Sequence, residues 1–344
     1  MRYFFLLGLF VINAVFAQAK ELDSTLDTLV KELTELARQG NAEAQYNLGV
    51  MYIEGQGVDQ DYEEALKWYR LAAEQNFADA QFDLGVMYAE GEGVQQDYEE
   101  ALKWYRLAAE QNFSAAQYNL GILYGKGQGT PQNYGEAVKW IRLAADQNVG
   151  AAQNNLAVIY EYGRGVRQDY KEAAKWYRLA AEQNIAEAQA NLGVLYTNGH
   201  GVEQNYEEAF KWISLAAEQN FAGAQSNLGV MYMNGQGVPQ DYDKAFKWIY
   251  LAAKQNFPEA QNNLGLFYAG GKGIAPDYDE AFKWIRLAAE QNSAEAQVNL
   301  GILYEYNPSE PNHNTEAKKW YGKACANGLQ QGCEKYKELS REGY

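Results

Sequence analysis

All eight tryptophans of this chain stand 36 residues apart, and this regularity limits what the chain can fold into. They are Trp68, Trp104, Trp140, Trp176, Trp212, Trp248, Trp284 and Trp320. Gln45, Leu48 and Tyr52 recur at the same interval through the chain. A fixed period of this length is typical of repeat proteins, in which each unit stacks on its neighbours. The tryptophans are therefore predicted to be structural residues on the buried side of one helix in each unit.

The first unit has the pattern of two helices joined by a turn. Its first helix, helix A, is predicted from apolar residues with i, i+4, i+7, i+8 spacing. These residues are Ala44, Leu48, Met51 and Tyr52. Gly55 and Gly57 are expected to end helix A, because glycine readily adopts left-handed backbone angles. Asp61 is the predicted N-cap of a second helix, helix B. The predicted buried stripe of helix B is Ala65, Trp68, Leu71 and Ala72.

A single hairpin cannot bury its apolar faces alone, so the units are expected to stack into an all-α, α/α superhelical solenoid. The eight predicted repeats are 42–77, 78–113, 114–149, 150–185, 186–221, 222–257, 258–293 and 294–329. Capping helices are predicted in 18–41 and 330–344. The predicted apolar stripe of the N-terminal cap is Leu22, Leu26, Leu29, Val30, Leu33 and Leu36.

Residues 1–17 have the features of a secretory signal peptide. Arg2 supplies the positive charge, an apolar run follows, and small residues allow cleavage after Ala17 or Ala19. A membrane anchor is the alternative, but the run is shorter than the roughly 20 residues that a span requires. The sequence therefore predicts a periplasmic or secreted protein with no stable membrane insertion after cleavage.

The formal net charge of −16 disfavours two classes of partner. A nucleic acid backbone and an anionic lipid surface would both be repelled by an acidic protein. No nucleic acid partner is predicted, and the chain is expected to be a monomer.

The repeat resembles a known family. From Ala42 to Ala73 the sequence reads AEAQYNLGVMYIEGQGVDQDYEEALKWYRLAA, which is similar to the Sel-1-like repeat, a relative of the tetratricopeptide repeat. Copies in register cover about residues 42 to 333. The resemblance implies a right-handed superhelix with helix A on the concave side. It also implies an adaptor of protein complexes, and secreted bacterial members are often linked to contact with host cells.

The two cysteines, Cys325 and Cys333, are separated by one predicted interhelix turn. The cysteine-rich branch of the family has a similar C-x7-C pattern that joins neighbouring helices. A disulfide that clamps the C-terminal cap is predicted for an oxidising compartment, and two free buried thiols are the alternative.

The sequence gives little support for catalysis. The two histidines, His200 and His313, fall in predicted interhelix loops of different repeats. No nucleophile elbow, phosphate-binding loop or zinc-ligand spacing occurs. We predict no catalytic residue, no metal and no cofactor. Because cysteine-rich relatives have been linked to β-lactam binding or hydrolysis, an enzyme of that type is an alternative.

Partner binding is predicted at helix A positions that the repeat leaves free, because aromatic side chains there are common interface anchors. The predicted partner-binding residues are Tyr46, Phe82, Tyr118, Asn154, Asn262, Ile53 and Glu161. Surface drift, or packing against the next helix A, would explain the three aromatics equally well. Binding of cell-wall glycan through the aromatics is a further alternative.

Asn47 and its counterparts form a second series on helix A, interrupted only by Asp83. Such a series could hold the backbone of an extended peptide. The alternative, which the repetition favours, is a structural hydrogen bond from each asparagine to the loop of the adjacent repeat.

Overall fold

The computed structural model describes residues 26–271, 273–306 and 312–344, which form α-helices and contain no strand. The predicted signal peptide, 1–17, lies outside these residues, as does the start of the predicted N-terminal cap. Within the described ranges, no helix is long and apolar enough to cross a membrane.

Two helices alternate through the repeats, which confirms the all-α repeat architecture. Helix α1, residues 26–38, precedes them. The helix A segments are α2 (Ala42–Glu54), α4 (Ala78–Glu90), α6 (Ser114–Lys126), α8 (Gly150–Tyr162), α10 (Ala186–Asn198), α12 (Ala222–Asn234), α14 (Pro258–Gly270) and α16 (Ala294–Glu305). The helix B segments are α3 (Tyr62–Glu74), α5 (Tyr98–Glu110), α7 (Tyr134–Asp146), α9 (Tyr170–Glu182), α11 (Tyr206–Glu218), α13 (Tyr242–Lys254), α15 (Tyr278–Glu290) and α17 (His313–Ala326). The last helix is α18 (Gln330–Arg341).

The helix ends follow the sequence signals. Gly55 adopts a left-handed conformation, with φ of 68°, and its N–H donates to the carbonyl of Met51. The Asp61 carboxylate accepts hydrogen bonds from the N–H groups of Glu63 and Glu64, as an N-cap does. Asn76 follows helix B with a positive φ, so the chain turns sharply into the next helix A. His313 is the first residue of α17 and not a loop residue as predicted.

The helices group into two compact units, one ending at Gln168 and one beginning at Asp169. The boundary falls within the fourth repeat, between α8 and α9. In the first unit, helices α2 to α7 enclose a core of alanine, leucine and aromatic side chains. The second unit has the same kind of core from α10 to α18.

The glycine that recurs in helix A allows helix B to approach closely. A Cβ built on Gly121 would lie 2.6 Å from Cγ1 of Ile141 and 3.1 Å from the carbonyl oxygen of Ala137. Both atoms belong to α7, which packs against α6 in the same repeat. The absent side chain therefore permits the hairpin packing that the repeat requires.

The recurrent glutamine of helix A is buried, and both the nitrogen and the oxygen of its side-chain amide make hydrogen bonds. Gln81 Nε2 donates to the carbonyl of Ala73 in the preceding repeat, at 3.1 Å. Its Oε1 accepts from Gln111 Nε2 at the end of the following helix B, at 2.7 Å. Gln117 repeats both contacts with Ala109 and Gln147. Since an unpaired buried amide is costly, this network explains why glutamine is kept at this position.

Most tryptophans lie where the sequence places them. Among the described residues, Trp68 and Trp248 are half-buried and the other six are buried. The helix B stripe was wrong at Leu71, which is 44% exposed, because Tyr69 is the residue that faces the core. Two residues separate these positions by about 200° around a helix, so both cannot face inward.

Helix α1 takes the place that a preceding helix B would occupy. A Cβ on Gly57 would lie 3.0 Å from Cγ2 of Val30, and Leu33 packs against the core of the first repeat. Leu29 and Leu36 are exposed, contrary to prediction, because Ala37 provides the buried contact instead. Leu22 lies outside the described residues.

At the other end, the structure pairs Cys325 and Cys333 as a disulfide between α17 and α18, with Cα atoms 4.5 Å apart. Lys335 of α18 also reaches Glu305 of α16, at 3.3 Å. The final helix is thus attached to both helices of the eighth repeat.

Candidate protein-binding surface

Neighbouring A helices lie side by side within each unit. Asn155 Nδ2 of α8 donates to the Tyr118 hydroxyl of α6 at 3.0 Å. In the second unit, Asn299 Nδ2 of α16 donates to Asn262 Oδ1 of α14 at 2.9 Å. The outer sides of these helices therefore form a continuous surface in each unit, which we call the helix A face.

The predicted aromatic strip lies on the helix A face of the first unit, and all three members are half-buried. The Tyr46 ring lies 5.5 Å from the Tyr69 ring of helix B and 5.3 Å from that of Phe77. Phe82 repeats this packing with Phe113, at 5.1 Å. Part of each ring thus belongs to the fold, and the remaining part is accessible.

Two of the predicted binding residues need correction. Asn154 is 4% exposed and Asn262 is 8% exposed, so neither side chain presents a surface to a partner. Both are at the phase of Tyr46. Asn262 lies inside the helix A layer, where its Oδ1 accepts a hydrogen bond from Asn299 of the next A helix.

Ile53 and Glu161 occupy equivalent positions near the C-terminal ends of α2 and α8, and both are half-buried. Their backbone carbonyls accept hydrogen bonds from Gln60 and Gln168, each at 2.7 Å. The structure thus places these two residues beside the turn after helix A, away from the aromatic strip along the helix axis.

Three members of the asparagine series bond to side chains and not to the loop that we expected. Asn155 and Asn299 reach the preceding A helix, and Asn119 bonds to Tyr105 of the preceding helix B. These three bonds link successive repeats. For these residues the expected loop partner was wrong, because the amides reach side chains of the preceding helices.

Asp83 changes the chemistry of this series at one place. Its carboxylate accepts hydrogen bonds from the hydroxyls of Tyr46 and Tyr69. Burial, followed by the charge of Asp79, raises the pKa of Asp83, while the two tyrosine bonds oppose the shift. Burial beside this carboxylate also holds the pKa of Tyr46 above its usual range. The first unit therefore carries a half-buried negative charge next to its aromatic strip.

Sequence reasoning did not identify Asp83 as part of the candidate site. The available signal was its departure from asparagine at an otherwise constant position. Sequence reasoning also missed a row of exposed leucines on helix B, which are Leu71, Leu107, Leu143, Leu215, Leu251 and Leu287.

The described ranges contain no group of three His, Cys, Asp or Glu side chains that is suited to bind a metal ion.

Comparison with known proteins gives a consistent family match. The family model described as the Sel1 repeat matches residues 42–77, 78–113, 114–149, 150–185, 186–221, 222–257, 258–293 and 294–329. No curated protein matches the chain.

Two solved structures are similar over most of the chain. One is c5321, a protective antigen present in uropathogenic Escherichia coli strains and displaying an SLR fold; it is 33% identical, with a TM-score of 0.77, and the match covers 92% of this chain and 72% of that one. The other is a Sel1 repeat protein from Oxalobacter formigenes, also 33% identical, with a TM-score of 0.69 and coverage of 90% and 89%.

Proposed function

We propose that this chain, which belongs to the Sel1 repeat family, is a non-catalytic scaffold that binds a protein or peptide on the helix A face of its first unit. The observation that carries the proposal is the succession of Tyr46, Phe82 and Tyr118 on the neighbouring A helices α2, α4 and α6. Each ring is fixed by the fold yet partly accessible, which limits the entropy lost on binding. Aromatic residues of this kind often dominate the binding free energy of an interface.

The second unit supports this choice by contrast. At the phase of Tyr46 it carries only small, amide or short apolar residues, and all are buried: Ala190, Ser226, Asn262 and Val298. The helix A face there offers no equivalent anchor. We therefore assign the binding role to the first unit.

Charge indicates the kind of partner. Asp79 and Asp83 lie beside Tyr46, and the whole chain has a formal net charge of −16. Complementary charge accelerates encounter and selects against partners of like charge. A partner segment that combines lysine or arginine with apolar residues would therefore suit this surface, on the side expected to be concave.

The test replaces each aromatic with a residue that the chain itself carries at that phase. The variant Tyr46→Ala, Phe82→Ser, Tyr118→Asn matches Ala190, Ser226 and Asn154, so folding should be retained. We expect affinity capture from the native organism, followed by titration of the purified partner, to show at least a tenfold loss of affinity.

The control is Leu71→Ala, which removes an exposed apolar side chain from helix B of the same unit. Its partner affinity should equal that of the unchanged protein. Equal affinity of the triple variant would contradict the site. Loss of binding to peptidoglycan in that variant would indicate a glycan ligand, and hydrolysis of nitrocefin by the purified chain would contradict the non-catalytic assignment.

The proposed setting is the periplasm or the exterior of a bacterial cell. The disulfide pair supports an oxidising compartment, and the similar E. coli protein is a protective antigen, which supports contact with a host. Fractionation of cells together with N-terminal sequencing of the mature protein tests this. We expect an N-terminus after Ala17 or Ala19, and an uncleaved protein in the cytoplasm would contradict export.

A further inference from the structure

The turns that follow helix A lie in a row along one edge of the first unit. Each turn packs against the start of the preceding helix B, or against α1 in the first repeat. For example, a Cβ on Gly165 would lie 2.6 Å from Cβ of Tyr134, the first residue of α7. We call this row the turn edge; its four turns are residues 54–60, 90–96, 126–132 and 162–168.

Charge is segregated along the turn edge. The first turn carries two exposed carboxylates, Glu54 and Asp59, and the second carries two more, Glu90 and Glu92. The third turn carries one exposed cation, Lys126, and no carboxylate. The charge of the edge therefore changes sign between the second and the third turn.

The fourth turn is basic and aromatic. Arg164 and Arg167 are both exposed, and the Arg164 guanidinium lies 5.3 Å from the centroid of the Tyr162 ring. Tyr162 is 61% exposed, and no other turn of the first unit contains an aromatic residue. Tyrosine and arginine are enriched in protein–protein interfaces, so this turn has the composition of a contact surface.

The charges of the turn edge make no ion pair with one another or with the rest of the described chain. The ion pairs of the first unit lie within the B helices instead, as between Lys67 and Glu64. Over residues 26–271, 273–306 and 312–344, none of the ion pairs includes a carboxylate of the first two turns, Lys126, Arg164 or Arg167. Both signs of charge are thus available to another molecule.

We propose that two copies of this chain associate through their turn edges in an antiparallel arrangement, related by a two-fold axis. With the axis between the second and third turns, the fourth turn of each copy faces the first turn of the other, and the third faces the second. Arg164 and Arg167 then meet Glu54 and Asp59, and Lys126 meets the carboxylates of the second turn. The two-fold axis makes every contact occur twice.

A second copy fits this edge better than other anionic partners do. The basic part spans only two turns, and the carboxylates of the first two turns would repel the remainder of a long polyanion or of an anionic membrane. The acidic turns of a second copy have the required length and the opposite charge. The antiparallel order follows from the same argument, because a parallel arrangement would bring like charges together.

The formal net charge of −16 opposes association at long range. At about 0.1 M salt, however, exposed charges more than about 10 Å apart are largely screened, so the contacts at the edge decide the outcome. Exposed ion pairs are individually weak. We therefore expect a reversible dimer with a micromolar dissociation constant, which differs from the monomer expected from the sequence.

The first test measures the oligomeric state of the full chain by sedimentation equilibrium. In about 0.1 M salt the chain should show a monomer–dimer equilibrium, which about 1 M salt should abolish. The double variant Arg164→Glu, Arg167→Glu should weaken dimerisation at least about tenfold, because attractive contacts become repulsive. Tyr162→Ala should also weaken it, because a large exposed contact is lost.

The matched control is Lys337→Glu with Arg341→Glu. These residues are exposed on α18, outside the turn edge, and the two reversals change the net charge by the same amount as the arginine reversals. The control should dimerise like the unchanged chain. Circular dichroism should show the same helix content for all variants, so that a loss of dimer is not a loss of fold.

A charge exchange tests the antiparallel register. Glu54→Lys with Asp59→Lys should also abolish self-association. Mixed with the Arg164→Glu, Arg167→Glu variant, it should form a heterodimer, because the first turn of each partner then carries the charge opposite to the fourth turn of the other.

Three results would each overturn the proposal. They are a monomer at every salt concentration, a dimer that survives the arginine reversals, and reversed variants that fail to pair with each other. None of these results bears on Tyr46, Phe82 or Tyr118, because the turn edge does not include the aromatic strip.

Discussion

Single residues in this protein can be judged against their seven counterparts, and Asp83 is the most informative case. It places a carboxylate where the other repeats have asparagine. An asparagine oxygen can accept the same hydroxyl hydrogen bonds without the cost of burying a charge. Asp83 therefore has a free-energy cost that its counterparts avoid, which agrees with a role in binding.

We predict that Asp83→Asn stabilises the protein at neutral pH by on the order of 1 kcal/mol. Because the folded-state pKa of Asp83 is raised, the folded protein holds this proton more tightly than the unfolded chain. The protonated group therefore contributes stability below the unfolded pKa, and this contribution is lost as pH rises through the folded pKa. Urea denaturation at about pH 3.5 and about pH 7 should show that Asp83→Asn raises the unfolding free energy more at the higher pH.

The reverse change, Asn119→Asp, is the control for that experiment. It introduces a carboxylate in the third repeat, beside Tyr105 of the second repeat. The unfolding free energy of this variant should fall as pH rises. A gain from Asp83→Asn that does not change with pH would contradict the electrostatic explanation.

The helix A glycines allow a second prediction, made within one helix. Gly121→Ala should destabilise the protein by about 1–3 kcal/mol, because its Cβ would overlap Ile141. Gly125→Ala is the matched control, since its Cβ would lie 3.6 Å from that of Ala137. The control should be neutral or stabilising by up to about 1 kcal/mol, because alanine favours helix. Similar losses from both changes would show that close packing is not the cause.

At the scale of helices, the sequence predicts boundaries better than orientation. Helix ends follow from local chemistry, as at Gly55 and Asp61, and the structure agrees there. Orientation depends on neighbours, which is why Leu71 and Leu36 were predicted to be buried and are exposed. The same limit applies to the candidate site, where the exposure of a side chain also depends on its neighbours. That Asn154 is only 4% exposed cannot be seen in the residue itself.

The C-terminal helix gives a prediction at this scale. Reduction of the Cys325–Cys333 pair should lower the free energy of unfolding of the α17–α18 hairpin by about 2 kcal/mol, because a short closed loop is released. Hydrogen exchange should show faster exchange in α18 with little change in α2 to α7. Mass spectrometry should show a gain of about 2 Da on reduction. An unchanged mass would mean that the cysteines are free thiols.

At the scale of the whole molecule, stability should follow the number of repeats, because each repeat contacts only its neighbours. Deletion of residues 78–113 joins two equivalent positions and should leave a folded protein. We expect the denaturant dependence of its unfolding free energy to fall by roughly one eighth, in proportion to the surface buried. Deletion of 78–97, which removes helix A alone, should prevent folding of the first unit. Equal behaviour of the two deletions would contradict a nearest-neighbour fold.

The glutamine network has a consequence for the gene. Gln81, Gln117, Gln189, Gln225 and Gln261 each bond to an alanine carbonyl one repeat behind and to a glutamine at the end of their own hairpin, so these junctions present the same donors and acceptors. Unequal recombination between the DNA segments that encode two repeats would therefore join compatible protein surfaces. Alleles that differ by whole repeats should therefore encode foldable proteins. Sequencing of the locus across isolates should find length variation in multiples of one repeat, with the N-terminal and C-terminal caps unchanged.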